Sequence, residues 1–148
     1  MLDSQFSSEG ARIAICGAMR EKVALSDQLE ERLVEFAAKI IGMAGKLCNT
    51  FQGRHIAKQI LRSGTAAAPN YAEARGAESR TDFVHKMRIV QKELNETSVW
   101  LRVIMRCSLL SPELIVAIIA ENKELSRIVT ASIRTARSNI SAAPSDEN

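Results

Sequence analysis

From Thr81 to Ser108 an apolar or small side chain returns at every third or fourth position: Phe83, Met87, Val90, Leu94, Thr97, Leu101, Ile104, Met105 and Ser108. Residues at that spacing share one face only in an α-helix, and a helix with one apolar stripe has to bury it against a partner. The rest of the chain supplies partners of the same kind. Leu29, Leu33, Phe36, Ala37, Ile40, Ile41, Ala44, Leu47, Cys48 and Phe51 keep the same period, as do Ile56, Ile60, Ala67, Tyr71 and Ala74. A fourth stripe holds Leu114, Ile118, Leu125, Ile128, Val129, Ile133, Ala136 and Ile140.

Boundary signals separate the four stripes. "DQLE" from Asp27 offers an N-cap with a Glu three positions on, and Gly53 within "NTFQGRH" reads as a break before a helix that begins near Arg54. In "SPEL", Ser111 sits at a cap, Pro112 at a first helical position and Glu113 in a first turn. Long amphipathic helices joined by short links lie antiparallel, so the chain reads as an all-α, up-down-up-down four-helix bundle over residues 27–140. Residues 1–26 fit it poorly and read as an N-terminal arm able to form a short helix; 141–148 read as a disordered tail. Aromatics are only 4% of the 148 residues while hydrophobics are 46%, so this core is made of Leu, Ile, Val, Ala and Met.

Several classes are disfavoured. Cys16, Cys48 and Cys107 are an odd, widely spaced set, which argues against a disulfide framework or a zinc site and for reduced, mostly buried thiols. The opening "MLDSQFSSEG" lacks a basic secretory start, and no run approaches the roughly 18 apolar residues a membrane helix needs, so a cytoplasmic protein with no membrane partner is expected. Net charge is +3, but residues 52–107 hold ten Lys or Arg against five Asp or Glu. The basic excess sits mid-chain, either as an ordinary solvated face or as a polyanion-binding surface.

The stretch "SGTAAAPNYAEAR" is unusual for a helix. Pro69 removes one backbone donor and crowds the Thr65 carbonyl, at a cost of about 3 kcal/mol unless the helix kinks or breaks. Ser63, Gly64, Ala66, Ala67 and Ala68 present almost no bulk, so another helix can approach closely. Asn70 and Glu73, just past the proline, stand where they can bond backbone groups freed by a kink.

"LRSGTAAAPNYAEARGAESRTDFVHKM" and "KELNETSVWL" together resemble the second- and third-helix signatures of the bacterial four-helix-bundle proteins related to the product encoded in intervening sequences of large-subunit ribosomal RNA genes. The resemblance covers roughly residues 27–138. It implies an antiparallel four-helix bundle assembled as a homo-oligomer, commonly a ring of five. It also implies kinship with accessory proteins of reverse transcriptases in diversity-generating elements, where a basic pentamer binds nucleic acid. The family pattern of Asn, any residue, Ala, Glu, Gly is met by Asn70, Ala72 and Glu73, while Ala74 replaces the glycine.

At 100° per residue, Arg88, Lys92, Arg102 and Arg106 fall about 100° to 180° from the core stripe of the third helix, forming one outward line of four cations. Ile89, Glu93, Glu96, Trp100 and Val103 form a second face at about 200° to 280° that mixes apolar and acidic groups. Such a face reads as an oligomer interface or polar network, with Arg62 and Arg75 as cations for Glu73, Glu93 and Glu96 in the same or an adjacent chain.

Catalytic chemistry finds no support. Glu93 and Glu96 stand one turn apart, but the Glu-x-x-His pairs of di-metal bundles are missing, since neither His55 nor His85 has a Glu three positions before it. No thiol has an arguable His and Asp, and Gly64 and Gly76 follow no strand, so no phosphate loop is formed. The expectation is a non-enzymatic protein without cofactor. Two readings remain: an accessory protein that binds RNA or DNA through the Arg88, Lys92, Arg102, Arg106 stripe, or a scaffold that docks a protein partner, such as a reverse transcriptase, through a ring surface or the N-terminal arm.

Overall fold

The computed structural model describes residues 3–47 and 49–141, with side chains from residue 14 onward. Four helices account for nearly all of them: α1 (Asp3–Gly45), α2 (Phe51–Arg75), α3 (Arg80–Arg106) and α4 (Pro112–Ser141). Among the described residues there is no strand. The chain divides into two compact units between Arg32 and Leu33.

The first unit is the N-terminal part of α1. The helix expected to start at Asp27 is already formed at Asp3 and runs through that cap signal without a break. Asp27 and Glu30 are therefore mid-helix residues. Ile15, Met19 and Val23 recur every four residues and lie 56–64% exposed, so one apolar line of this segment faces solvent. The tail beyond Ser141 lies outside the described residues.

The second unit gathers the rest of α1 with α2, α3 and α4. Leu33, Phe36 and Ile40 of α1, Ile60 and Ala67 of α2, Met87, Val90, Leu94, Leu101 and Ile104 of α3, and Leu125 and Val129 of α4 are fully buried together. The helical spacing of the sequence places all of these on its stripes; Ile41, Phe51, Met105, Ser108, Leu114 and Ile140 were expected there too and are exposed. Apolar side chains at helix ends outrun the partner helices, and Phe51 belongs to the first turn of α2, where it is 78% exposed. Ile115 and Asn122 take buried places on α4 instead.

Cross-helix contacts fix the directions. Arg62 meets Glu96 and Glu73 meets Lys86, so α2 and α3 run antiparallel. Gln91 donates to Thr130 and Asn122 donates to the Leu94 carbonyl, so α3 and α4 do too.

The ends of the helices follow local chemistry. Thr50 caps α2 by accepting from the Gly53 amide at 2.9 Å. Gly53 is thus inside the first turn rather than a break, and its glycine is required because a Cβ there would stand 1.9 Å from the Leu47 carbonyl oxygen. Ser79 caps α3 through the Asp82 amide at 3.1 Å. At the other end of α3, the Leu109 amide bonds the Ile104 carbonyl and the Ser108 amide bonds that of Met105. This is a Schellman ending with Ser108 at φ 50°, a conformation that favours glycine. Pro112 opens α4 with Glu113 in its first turn, as "SPEL" predicts.

Candidate functional site

The small-residue stretch of α2 is a packing seat. A Cβ on Gly64 would lie 2.8 Å from Ile40 Cγ2 and 2.9 Å from Cγ1, so α1 and α2 meet here at glycine distance. On the neighbouring face Thr97 of α3 donates to Ser63 Oγ at 3.0 Å, and Ser63 donates on to the Gln59 carbonyl at 3.3 Å. Both hydroxyls are fully buried, and only small side chains let α3 come this close. Pro69 does not break α2, which continues to Arg75. Asn70 donates to the Ala66 carbonyl at 2.8 Å, not to that of Thr65, and Glu73 turns to Lys86 at 3.6 Å. The expected backbone role of Glu73 is replaced by an ion pair.

Beside this seat lies a polar seam between α2 and α3. Arg62 and Trp100 both donate to Glu96 Oε1, the indole at 3.4 Å. The His55 ring stands edge-on to Trp100 at 6.4 Å and 77°. Ile89, Glu93, Glu96, Trp100 and Val103 are half-buried within the single chain. The face expected to serve as an oligomer interface or polar network thus turns Glu96 and Trp100 toward α2, because the flank of a helix stripe, not only its centre, meets the neighbouring helix of an antiparallel pair. Glu93 Oε2 is sealed there with no hydrogen-bond partner among the described residues. Arg75 sits exposed in the last turn of α2, where it favours the helix dipole.

The cation line of α3 is exposed. Arg88, Lys92, Arg102 and Arg106 all face solvent. Among the described residues none of the four has a carboxylate partner; Arg102 Nε reaches only the Ser98 carbonyl at 3.4 Å. Some exposed cations elsewhere do find one: Lys39 pairs with Glu35 at 3.2 Å and Arg127 with Glu124 at 3.8 Å.

The thiols differ from expectation. Cys16 and Cys107 are free and exposed, not buried, and Cys48 lies outside the described residues. Cys107 ends α3 at the surface, past the last turn that other helices cover. Among the described residues no three His, Cys, Asp or Glu side chains gather to hold a metal ion, and no helix is long and apolar enough to cross a membrane.

Sequence reasoning missed His55 as the partner of Trp100, Lys86 as that of Glu73, the Ser63–Thr97 pair and buried Asn122. A hydroxyl on each of two facing stripes was the available signal for the buried pair.

The geometry defines a helical bundle with glycine-distance packing, a polar α2–α3 seam and an outward line of unpaired cations. A family model described as 23S rRNA-intervening sequence protein matches residues 20–131, and the chain belongs to that family. Among solved structures it is similar to a protein of unknown function of the S23 ribosomal protein family from Bacteroides thetaiotaomicron, at 33% identity and a TM-score of 0.69, over 74% of this chain and 97% of that one. No curated protein matches the chain.

Proposed function

We propose that this chain is a non-enzymatic, oligomeric bundle protein that binds nucleic acid through the outward cations of α3. The observation that carries the reading is the contrast in pairing. Lys39, Arg62, Lys86 and Arg127 are each held by a carboxylate, while Arg88, Lys92, Arg102 and Arg106 are exposed along one helix with none among the described residues. Unpaired like charges along one helix repel, and a polyanion relieves that repulsion by displacing condensed counterions from its own phosphates. Assembly as a ring of five, which the family resemblance implies, multiplies the line into a continuous field.

The test is the quadruple charge reversal R88E/K92E/R102E/R106E. The wild-type chain should bind short RNA and DNA with an affinity that falls steeply with salt, and the variant should lose that binding while staying helical. Unchanged binding by the variant refutes the α3 line. Light scattering in the same buffers reports the mass, and a monomer removes the ring.

A protein-docking role is the second reading, favoured by the exposed line Ile15, Met19 and Val23. A multimer that binds no nucleic acid supports it.

A further inference from the structure

A groove of about 710 Å³ runs between α3 and α4, open to solvent along its length. Arg88 and Gln91 line one wall, Thr130, Arg134 and Arg137 the other, and Ile133, 8% exposed, lies at its floor. The last seventeen residues of α4, from Leu125 to Ser141, contain three Arg and no Asp or Glu. The acids at Glu113, Glu121, Glu124, Asp146 and Glu147 offset this charge on either side.

The neutral polar groups of the groove are already used. Gln91 Nε2 donates to Thr130 Oγ1 at 2.8 Å, and Thr130 donates to the Ser126 carbonyl at 2.8 Å. This bridge ties the two walls together. The three guanidiniums are different: among the described residues none of Arg88, Arg134 and Arg137 is paired with a carboxylate, and no Asp or Glu lines the groove. Glu124 is held by Arg127, and Glu96 is on the α2 side with Arg62. Each guanidinium therefore keeps its fork of N–H donors free in a groove whose other groups are satisfied.

We propose that this groove binds a chain of phosphate groups. Planar guanidinium forks match phosphate oxygens in a bidentate way that a lysine point charge does not, and three of them facing one channel suit a ligand carrying several charges. An open channel favours an extended chain over a small enclosed ligand. Such a chain is either the backbone of a nucleic acid or a free polyphosphate. The nucleic-acid source rests on the function proposed above, since Arg88 belongs both to the α3 line and to this groove; Arg134 and Arg137 belong to the groove alone.

The experiment uses the full chain as wild type and as R134A/R137A, with K46A/K58A as a control that removes the same charge from exposed sites elsewhere. Binding of labelled single-stranded RNA by anisotropy and of inorganic tripolyphosphate by calorimetry is followed across a salt series. Removing two phosphate contacts should lower RNA affinity at least about tenfold and flatten the log–log salt slope by about 1.4, with the control within about twofold of wild type. Tripolyphosphate binding that depends on Arg134 and Arg137, with no RNA bound by wild type, upholds the groove and overturns the nucleic-acid reading. RNA bound equally by wild type and R134A/R137A overturns the groove and leaves the α3 line standing. Neither ligand bound overturns both. If the alanine variant melts early, R134K/R137K keeps the charge and loses the forks; wild-type affinity in that variant also overturns the groove as a guanidinium site.

Discussion

Gly64→Ala tests how closely α1 and α2 meet. In an ordinary helix interior, replacing Gly by Ala stabilises by roughly 0.5–1 kcal/mol, because Gly loses more backbone freedom on folding. Here the added methyl would stand 2.8 and 2.9 Å from the two γ carbons of Ile40 and 3.3 Å from its Cβ. Ile40 is fully buried, so its branch point cannot swing into solvent and either the helices separate or Ile40 leaves its rotamer. Overpacking of that kind costs about 1–3 kcal/mol. The clash should outweigh the propensity gain, leaving a net loss near 1 kcal/mol and a midpoint lower by roughly 2–4 °C for a chain of this size. Ile40→Ala removes both γ carbons. In that background, itself destabilised by about 2–5 kcal/mol, Gly64→Ala should become stabilising. Urea unfolding of the four species, followed by far-UV circular dichroism at one protein concentration, gives the coupling energy. If Gly64→Ala stabilises the wild type as much as the Ile40→Ala chain, the helices do not approach at glycine distance and the argument for the small-residue stretch fails.

Two further substitutions probe single residues. Ser108→Gly relieves a non-glycine residue at φ 50° in the ending of α3 and should stabilise by about 1 kcal/mol; a loss of stability would mean that the Ser108 side chain is making a compensating bond. Thr97→Val should cost about 1 kcal/mol by removing the buried donor to Ser63, whereas T97V/S63A, which removes both hydroxyls, should cost less than the two single changes added together; strict additivity in thermal melts would show that the pair is not coupled.

The bundle was legible because its signal is repeated. Four stripes at helical spacing, the Ser111 boundary and the Pro112 start each require only local chemistry, and local chemistry is what a sequence displays. Where the reading failed, a competing local signal lost to its surroundings. Asp27 has the chemistry of an N-cap, but Ala14 to Leu25 upstream are good enough helix formers that α1 continues through it. Gly53 resembles a break, yet the neighbouring Leu47 carbonyl explains why it is glycine. Pro69 was expected to kink or break α2; the helix is not broken there and continues to Arg75, with Asn70 bonding the Ala66 carbonyl. The α2–α3 seam was read in outline, since the wheel found Glu96, Trp100 and Ile89 on one face. What the wheel cannot supply is the residue opposite, and so His55 and Lys86 had to come from the packed structure.

Charge was the least legible property, for a physical reason. A net value of +3 says little when ion pairs silence some cations and leave others intact. Lys39, Arg62, Lys86 and Arg127 each spend their charge on a carboxylate close by. Arg88, Lys92, Arg102 and Arg106 on α3 and Arg134 and Arg137 on α4, six cations with no carboxylate partner among the described residues, keep a field that extends into solvent over a Debye length of about 8–10 Å. Two adjacent antiparallel helices carry all six, and Arg88 is common to the outward line and to the α3–α4 groove. A ligand following the phosphates would meet both at that residue, which makes the α3–α4 side, rather than the half-buried Trp100 face, the side of this chain on which electrostatics favours a polyanion.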